Sequence, residues 1–156
     1  MTKLSTFLWF EQDAEKAAAL YVSIFGGRVY DERHWGPGGP APEGSLMSVS
    51  FELDGHEYQA FNGGPGHPFT DASSIFVDVA DQAELDSVWD RLVADGGRGV
   101  ACGWLQDRFG LSWQIIPHEL GELLTDPDPG RSSRALQAML QMVKLDVAAL
   151  RAAADG

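Results

Sequence analysis

The sequence predicts an α+β fold made of two copies of a strand–helix–strands unit, followed by a helical C-terminal tail. Three observations support it: an apolar run precedes an amphipathic helix twice, Gly-Gly-Arg follows each helix, and each copy then carries a hairpin signal. A repeat that agrees at all these points indicates a duplicated βαβββ unit. We therefore expect a single domain over residues 1–156, with module one at 1–63, module two at 72–117 and the tail at 118–156.

The front half of each module is a strand followed by a helix. Leu4–Phe10 and Ser74–Val79 are short apolar runs typical of buried strands. Asp13 and Asp81 follow them as helix N-cap candidates, because a carboxylate accepts bonds from free backbone N–H groups. The two apolar helix faces share the spacing i, i+3, i+4, i+7: Ala17, Leu20, Tyr21 and Ile24, then Leu85, Val88, Trp89 and Leu92. Each helix is predicted to end at a glycine pair, Gly26-Gly27 or Gly96-Gly97.

The back half of each module carries a hairpin. In module one, Leu46–Leu53 and His56–Asn62 flank Asp54-Gly55, a two-residue turn whose members tolerate positive φ. In module two, Trp104–Gln106 and Ser112–Ile116 flank the four-residue turn Asp107–Gly110. Each module has room for one further strand between its helix and its hairpin, Val29–Trp35 in module one and Arg98–Cys102 in module two.

The tail is predicted to form three helices. We expect a short helix over His118–Thr125, a break at Asp126–Gly130 and a helix capped by Ser132, and we expect Asp146 to cap the last helix. The apolar face of the middle helix is Ala135, Leu136, Met139 and Val143. This face packs either on the sheet of its own chain or on a second subunit, and the sequence leaves both open.

Composition excludes several classes of function. The formal net charge of -12 disfavours nucleic acid and anionic membrane surfaces as partners. One cysteine, Cys102, cannot form an internal disulfide, which fits a reducing compartment. No stretch has the length of a membrane helix or the pattern of a signal peptide, so we expect a cytoplasmic protein.

Several motifs resemble the PhnB-like branch of the vicinal oxygen chelate (glyoxalase/bleomycin resistance/dioxygenase) superfamily. They are Phe7-Leu-Trp-Phe10, Tyr21-Val-Ser-Ile-Phe-Gly26, Phe61-Asn-Gly-Gly-Pro65, Cys102–Gln114 and Leu120–Pro129. The resemblance implies a glyoxalase-like open barrel of two βαβββ modules that enclose a cleft, and a homodimer. In enzymes of the wider superfamily, this cleft holds a divalent metal bound by His, Glu or Gln side chains.

Such chains are often labelled 3-demethylubiquinone 3-methyltransferases. Methyltransferases of the common type bind their cofactor at a glycine-rich loop after a strand. Here Gly26-Gly27 and Gly96-Gly97 follow helices, so this label is not expected to describe the activity.

The residues at the superfamily's metal positions predict no catalytic metal. The resemblance places these positions at Thr6, at Tyr58 or Gln59, at Ser74 and at Gln114. Hydroxyls and neutral amides bind transition metals poorly compared with imidazole, carboxylate or thiolate. A metal-dependent alternative requires other ligands, such as Glu57, Glu52 or His34.

The positions that the resemblance implies also predict a ligand pocket. If Thr6 faces the cleft, then Leu8 and Phe10 do too, because side chains alternate along a strand. The predicted ligand-binding residues are Thr6, Leu8, Phe10, Tyr58, Asn62, Ser74, Phe76 and Gln114, with Ala60 in the same row. The opposite register turns Phe7 and Trp9 inward instead. No acid–base dyad is evident, so no catalytic residue is predicted.

These observations favour a small-molecule-binding protein without a catalytic metal or other cofactor. One alternative is a metal-dependent lyase, isomerase or dioxygenase of the same superfamily. Another is a structural domain that dimerises through its tail. A neutral or weakly polar small molecule suits the apolar, aromatic lining.

Overall fold

The computed structural model describes all 156 residues and confirms the α+β fold, the two βαβββ units and the helical tail. The chain divides into two compact units, Met1–Pro68 and Phe69–Gly156. Each unit contains one open four-stranded sheet.

The first unit holds five elements: β1 (Thr6–Phe10), α1 (Ala14–Phe25), β2 (Arg28–His34), β3 (Leu46–Leu53) and β4 (His56–Asn62). The strand order is β1-β4-β3-β2, with β1 parallel to β4 and the other pairs antiparallel. The Asp54-Gly55 hairpin forms between the two predicted strands, and α1 ends just before Gly26, as expected.

One face of the first sheet packs against α1. Ala17 and Tyr21 of the helix are fully buried. The Tyr21 ring lies 5.9 Å from the Phe51 ring, which stacks on Tyr58 at 4.9 Å. Small alanines allow the helix to approach the sheet closely, and the aromatic rings fill the space beyond them.

The predicted N-cap of α1 is wrong. The Asp13 side chain makes no cap hydrogen bond and instead pairs with Lys16 at 3.2 Å. The Asn62 side-chain oxygen accepts the bond from the Ala14 N–H at 2.9 Å. Because Asn62 ends β4, the start of the helix is capped by a residue of the strand next to β1 and not by a residue adjacent in sequence.

The second unit repeats the order with β5 (Ser74–Val79), α2 (Gln82–Val93), β6 (Arg98–Gly99), β7 (Trp104–Gln106) and β8 (Ser112–Pro117). Its strand order is β5-β8-β7-β6, with β5 parallel to β8. Asp81 caps α2, as predicted, by accepting from the Glu84 N–H at 2.9 Å. The helix ends earlier than expected, because a single 3₁₀ turn, Ala94–Gly96, precedes Gly97.

A buried carboxylate organises the turn between β7 and β8. Asp107 is 3% exposed. One of its oxygens accepts from the backbone N–H groups of Phe109 and Leu111, at 2.9 and 3.1 Å. The other oxygen accepts from the indole N–H of Trp113 at 2.9 Å. The side chain therefore joins the turn to a fully buried residue of β8.

The tail forms three helices, α3 (His118–Leu124), α4 (Pro129–Leu140) and α5 (Val147–Asp155). Asp146 caps α5 as predicted. Ser132 is not a cap: α4 begins at Pro129, and Asp128 accepts from the Gly130 N–H at 2.8 Å. Proline suits the first helical turn because that turn needs no N–H from it.

The tail packs on its own unit. Leu145 and Leu150 are buried, and the Gln82 side chain bonds both the Leu145 carbonyl and the Val147 N–H, at 3.1 and 2.8 Å. The Cys102 N–H donates to the Met142 carbonyl at 2.8 Å. Of the predicted face of the middle helix, Ala135 is buried, whereas Leu136 and Val143 are exposed and Val143 lies beyond the end of α4, so packing of that face on a second subunit stays a prediction. None of the helices combines the length and apolar character needed to cross a membrane.

Candidate ligand-binding site

Each sheet has one face that is not covered by the helix of its βαβ unit. We call the face opposite α1 the open face of the first sheet, and the face opposite α2 the open face of the second sheet. Leu8, Ala60 and Val49 share a row of the first sheet and are buried on the α1 side. Since side chains alternate along a strand, Phe7 and Trp9 lie on the open face.

Aromatic rings dominate the open face of the first sheet. Phe7 is 54% exposed, and its ring lies 5.4 Å from that of Phe61. Phe61 meets Trp9 edge to face at 5.0 Å, and the His67 ring lies 4.1 Å from Trp9. Trp35, the residue after β2, has its ring 6.1 Å from that of Phe61. We call these five residues the aromatic cluster.

The chain after β4 holds Trp9 in place. The Trp9 indole N–H donates to the Gly64 carbonyl at 2.9 Å. A Cβ atom at Gly63 would lie 2.2 Å from Trp9 and 2.4 Å from Phe61, so only glycine fits there. The backbone at Gly63 and Gly64 therefore holds the Trp9 ring, and the other rings of the aromatic cluster pack against one another.

Neutral polar groups accompany the rings. Gln59 pairs with Phe7 across β1 and β4, and its amide donates to the Ser5 hydroxyl at 3.0 Å. Ser50 and Ser48 occupy the same face on β3, opposite Gln59 and Phe61. Gln59 and Ser50 are only partly buried and can form hydrogen bonds with a bound molecule without requiring it to be charged, whereas Ser48 is buried.

Arg33 lies opposite Ser48 and forms an ion pair with Asp31 towards the Trp35 end of β2, and a second group of charged side chains lies at the opposite end of the sheet. The Tyr30 hydroxyl donates to Glu57 at 2.6 Å, and Lys3 lies 2.8 Å from the same carboxylate. The hydrogen bonds from Lys3 and Tyr30 hold the pKa of Glu57 below its ordinary value. The bond to Glu57 raises the pKa of Tyr30, so its hydroxyl keeps its proton at neutral pH.

The open face of the second sheet repeats the same arrangement. Phe76 is 59% exposed and pairs with Gln114 across β5 and β8, just as Phe7 pairs with Gln59. The Gln114 amide donates to the Ser74 hydroxyl at 2.9 Å. Each unit thus presents a serine, an exposed phenylalanine two residues later, and a glutamine on the neighbouring strand. Ser5, which this repeat pairs with Ser74, was not among the predicted site residues.

Some of the predicted site residues lie on the open face of the second sheet, and others lie on the α1 side of the first sheet. Ser74, Phe76 and Gln114 lie together on the open face of the second sheet. Leu8, Phe10 and Tyr58 are less than 10% exposed and lie on the α1 side of the first sheet. The structure adopts the opposite register for β1, in which Phe7 and Trp9 turn to the open face.

Thr6 and Asn62 share the α1-side rows, at the two ends of the sheet. The Thr6 hydroxyl lies 3.0 Å from His56 Nε2, and the Asn62 side chain caps α1 and also donates to the Leu46 carbonyl at 3.3 Å. Ligand binding by these residues of β1 and β4 stays a prediction. In the structure they support the sheet and the helix from within.

The side chains at the superfamily's metal positions do not fit a divalent metal site. Gln59 and Gln114 are bonded to serine hydroxyls, and Thr6 is bonded to the exposed His56. Nowhere does the structure bring together three or more His, Cys, Asp or Glu side chains able to hold an ion. A firm site needs about three good protein ligands, so we derive no chemistry through a metal.

Comparison with known proteins agrees with the architecture. The model of the 3-demethylubiquinone-9 3-methyltransferase family matches residues 2–116. A PhnB protein from Bacillus cereus, described as a putative 3-demethylubiquinone-9 3-methyltransferase, is 31% identical over 74% of this chain and 99% of its own, with a TM-score of 0.66. No curated protein matches the chain.

More distant structures share the fold. A Pseudomonas aeruginosa protein is 20% identical over 75% of this chain and 98% of its own, with a TM-score of 0.59. The fosfomycin resistance protein FosX from Listeria monocytogenes, solved with Mn(II) and sulfate, is 17% identical over 80% of this chain and 96% of its own, with a TM-score of 0.52. The family model and the Bacillus cereus relative, taken with the two repeated βαβββ units, show that the chain belongs to the PhnB-like (3-demethylubiquinone-9 3-methyltransferase) family.

Proposed function

We propose that this chain is a small-molecule-binding protein that works without a catalytic metal, and that its ligand lies on the open face of the first sheet. The observation that carries the proposal is the aromatic cluster. Phe7, on the edge strand β1, is more than half exposed although it is a large apolar side chain, and it lies beside rings that are held in fixed positions. An apolar surface with a few fixed polar groups is typical of small-molecule sites.

The polar groups around the cluster narrow the class of ligand. Gln59, Ser48 and Ser50 are neutral, whereas Lys3 and Glu57 neutralise each other at the end of the sheet. An uncharged, flat, mostly apolar molecule matches this surface, because it stacks on the rings and leaves no charge unpaired.

Methyl transfer is not part of the proposal. The Gly26-Gly27 pair ends α1 rather than following a strand, and neither sheet is the parallel, doubly wound sheet of common methyltransferases. The metal-dependent alternative would need ligands among Glu52, Glu57 and His34. The Glu57 carboxylate accepts a hydrogen bond from Tyr30 and forms a salt bridge with Lys3, and a Glu52 carboxylate oxygen lies 3.5 Å from the Arg28 guanidinium.

The proposal is tested with N-phenyl-1-naphthylamine, a neutral aromatic probe whose fluorescence rises in apolar surroundings. We expect saturable binding that is unchanged by EDTA or by added Mn²⁺. Phe7→Ala removes an exposed ring and should weaken probe binding roughly tenfold, since about 1–2 kcal/mol of apolar contact is lost. The control is Leu136→Ala, which removes a 42% exposed apolar side chain from α4.

Equal affinity of both variants for the probe would place the ligand elsewhere. Probe binding that requires Mn²⁺ would refute the metal-free part of the proposal. Metal content after chelator-free purification gives an independent check, with a substoichiometric amount expected.

A further inference from the structure

A separate cavity lies in the second unit, between the open face of the second sheet and α3. Its volume is about 300 Å³. Phe76 and Ile116 line it from β5 and β8, and His118, Glu122 and Thr125 line it from α3 or its end. Asp78, two residues after Phe76 on the same strand face, completes the wall.

The charges of this cavity are acidic and only partly neutralised. His118 Nδ1 lies 3.1 Å from Asp78, and His118 Nε2 lies 4.0 Å from Glu122. These are the charged groups that face the imidazole, from β5 and from α3 itself. With His118 neutral, the cavity carries two carboxylates beside an aromatic ring and no cationic side chain.

An exposed aromatic face beside carboxylates attracts organic cations. The negative face of a ring favours a quaternary or protonated amine, and a nearby carboxylate adds Coulomb attraction. The net charge of -12 raises the local concentration of any cation near the protein. We infer that this cavity binds a small organic cation, with the cationic group over Phe76 and close to Asp78 and Glu122.

The site goes beyond the proposed function, since it uses no residue of the first sheet and favours a charged ligand rather than a neutral one.

Binding of an organic cation in this cavity should depend on pH. The hydrogen bond to Asp78 raises the pKa of His118 above its ordinary value of 6.5. Protonated His118 competes with the ligand for the carboxylate, so cation affinity should rise as pH increases through the pKa of His118.

The probe is choline, and the matched control ligand is 3,3-dimethyl-1-butanol, in which carbon replaces the charged nitrogen. Binding is followed on the full chain by amide chemical shifts. We expect choline to shift the resonances of Phe76, Gly121 and Thr125, and to bind more tightly at pH 8.5 than at pH 6. Because choline is permanently charged, this change reports on the protein alone.

Three variants test the individual groups. Phe76→Leu should weaken choline binding about twofold to fivefold, the range of an exposed cation–π contact. Asp78→Asn should weaken it by a similar factor. His118→Gln should remove most of the pH dependence. Asp71→Asn, an exposed change of the same charge outside the cavity, should leave the affinity unchanged.

Three results would overturn the inference. One is equal affinity for choline and the neutral alcohol. Another is a loss of choline affinity in Asp71→Asn as large as the loss in Asp78→Asn. The third is a set of choline-induced shifts that maps outside the cavity. Each is independent of the N-phenyl-1-naphthylamine measurement, so failure here leaves the proposed function intact.

Discussion

Removing the Asp107 carboxylate should destabilise the protein more than any exposed substitution. Asp107→Ala leaves three donors of the β7–β8 turn without their acceptor: two backbone N–H groups and the indole N–H of the fully buried Trp113. An unsatisfied buried donor costs about 1–3 kcal/mol, and such costs are not additive. We therefore expect a loss of about 3–5 kcal/mol in the free energy of unfolding.

Asp107→Asn separates charge from geometry. The remaining carbonyl oxygen can still accept from Phe109 and Leu111, but the new NH₂ group then faces the indole N–H of Trp113. One donor loses its acceptor and the others bind a neutral oxygen, so a loss of about 1.5–3 kcal/mol is expected.

Urea unfolding followed by tryptophan fluorescence measures both losses. With a slope of about 1–3 kcal/mol/M, the alanine variant should shift the midpoint by roughly 2 M. The control is Asp54→Asn, at the exposed turn between β3 and β4, where φ is +47° and asparagine is tolerated. If Asp107→Ala shifts the midpoint no more than this control, the carboxylate does not organise the turn.

Two further predictions concern the aromatic cluster and the attachment of the tail. Gly63→Ala places a methyl group against Trp9, so it should lower the free energy of unfolding by about 1–3 kcal/mol and weaken binding of N-phenyl-1-naphthylamine. The control is Gly121→Ala, where no atom beyond the adjoining residues and the helix's own backbone lies within 4 Å of the new Cβ and neither effect is expected. Asp86 accepts from Lys144, which lowers its pKa, so its contribution to stability is present above the ordinary value of 3.8 and is lost as pH falls through the lowered value. Carbon NMR titration of the Asp86 carboxyl group should show a return towards 3.8 in Lys144→Met; an unchanged pKa in that variant would refute the pairing.

Local signals in the sequence were enough to predict most of the elements. The Asp54-Gly55 turn and its flanking strands match the structure to the residue, because two-residue hairpins are specified by the turn itself. Asp81 and Asp146 act as caps for the same local reason. The cap of α1 could not be predicted in this way, since Asn62 reaches it from a strand 48 residues away in sequence.

The register of β1 was harder to predict than its existence. Its alternate positions are all apolar, so hydrophobic patterning does not distinguish the two faces of Phe7–Phe10. The repeat itself contained the missing signal. Aligning Ser5 with Ser74, rather than Thr6 with Ser74, matches Phe7 to Phe76 and gives the observed faces. The Asp78–His118 pair was missed because its members lie 40 residues apart in sequence.

The bonds between the tail and the β6–β7 segment bear on how the family's length can vary. The Cys102 and Gly103 N–H groups, in the turn between β6 and β7, donate to the Met142 and Val143 carbonyls at 2.8 Å each. The family match ends at residue 116, so these donors belong to the shared part of the chain and their acceptors do not. A relative that stops near residue 117 must satisfy the same two donors with water, with a different segment or with a second molecule. In this chain the tail therefore supplies hydrogen-bonding partners to the family domain and is not merely added to a finished fold.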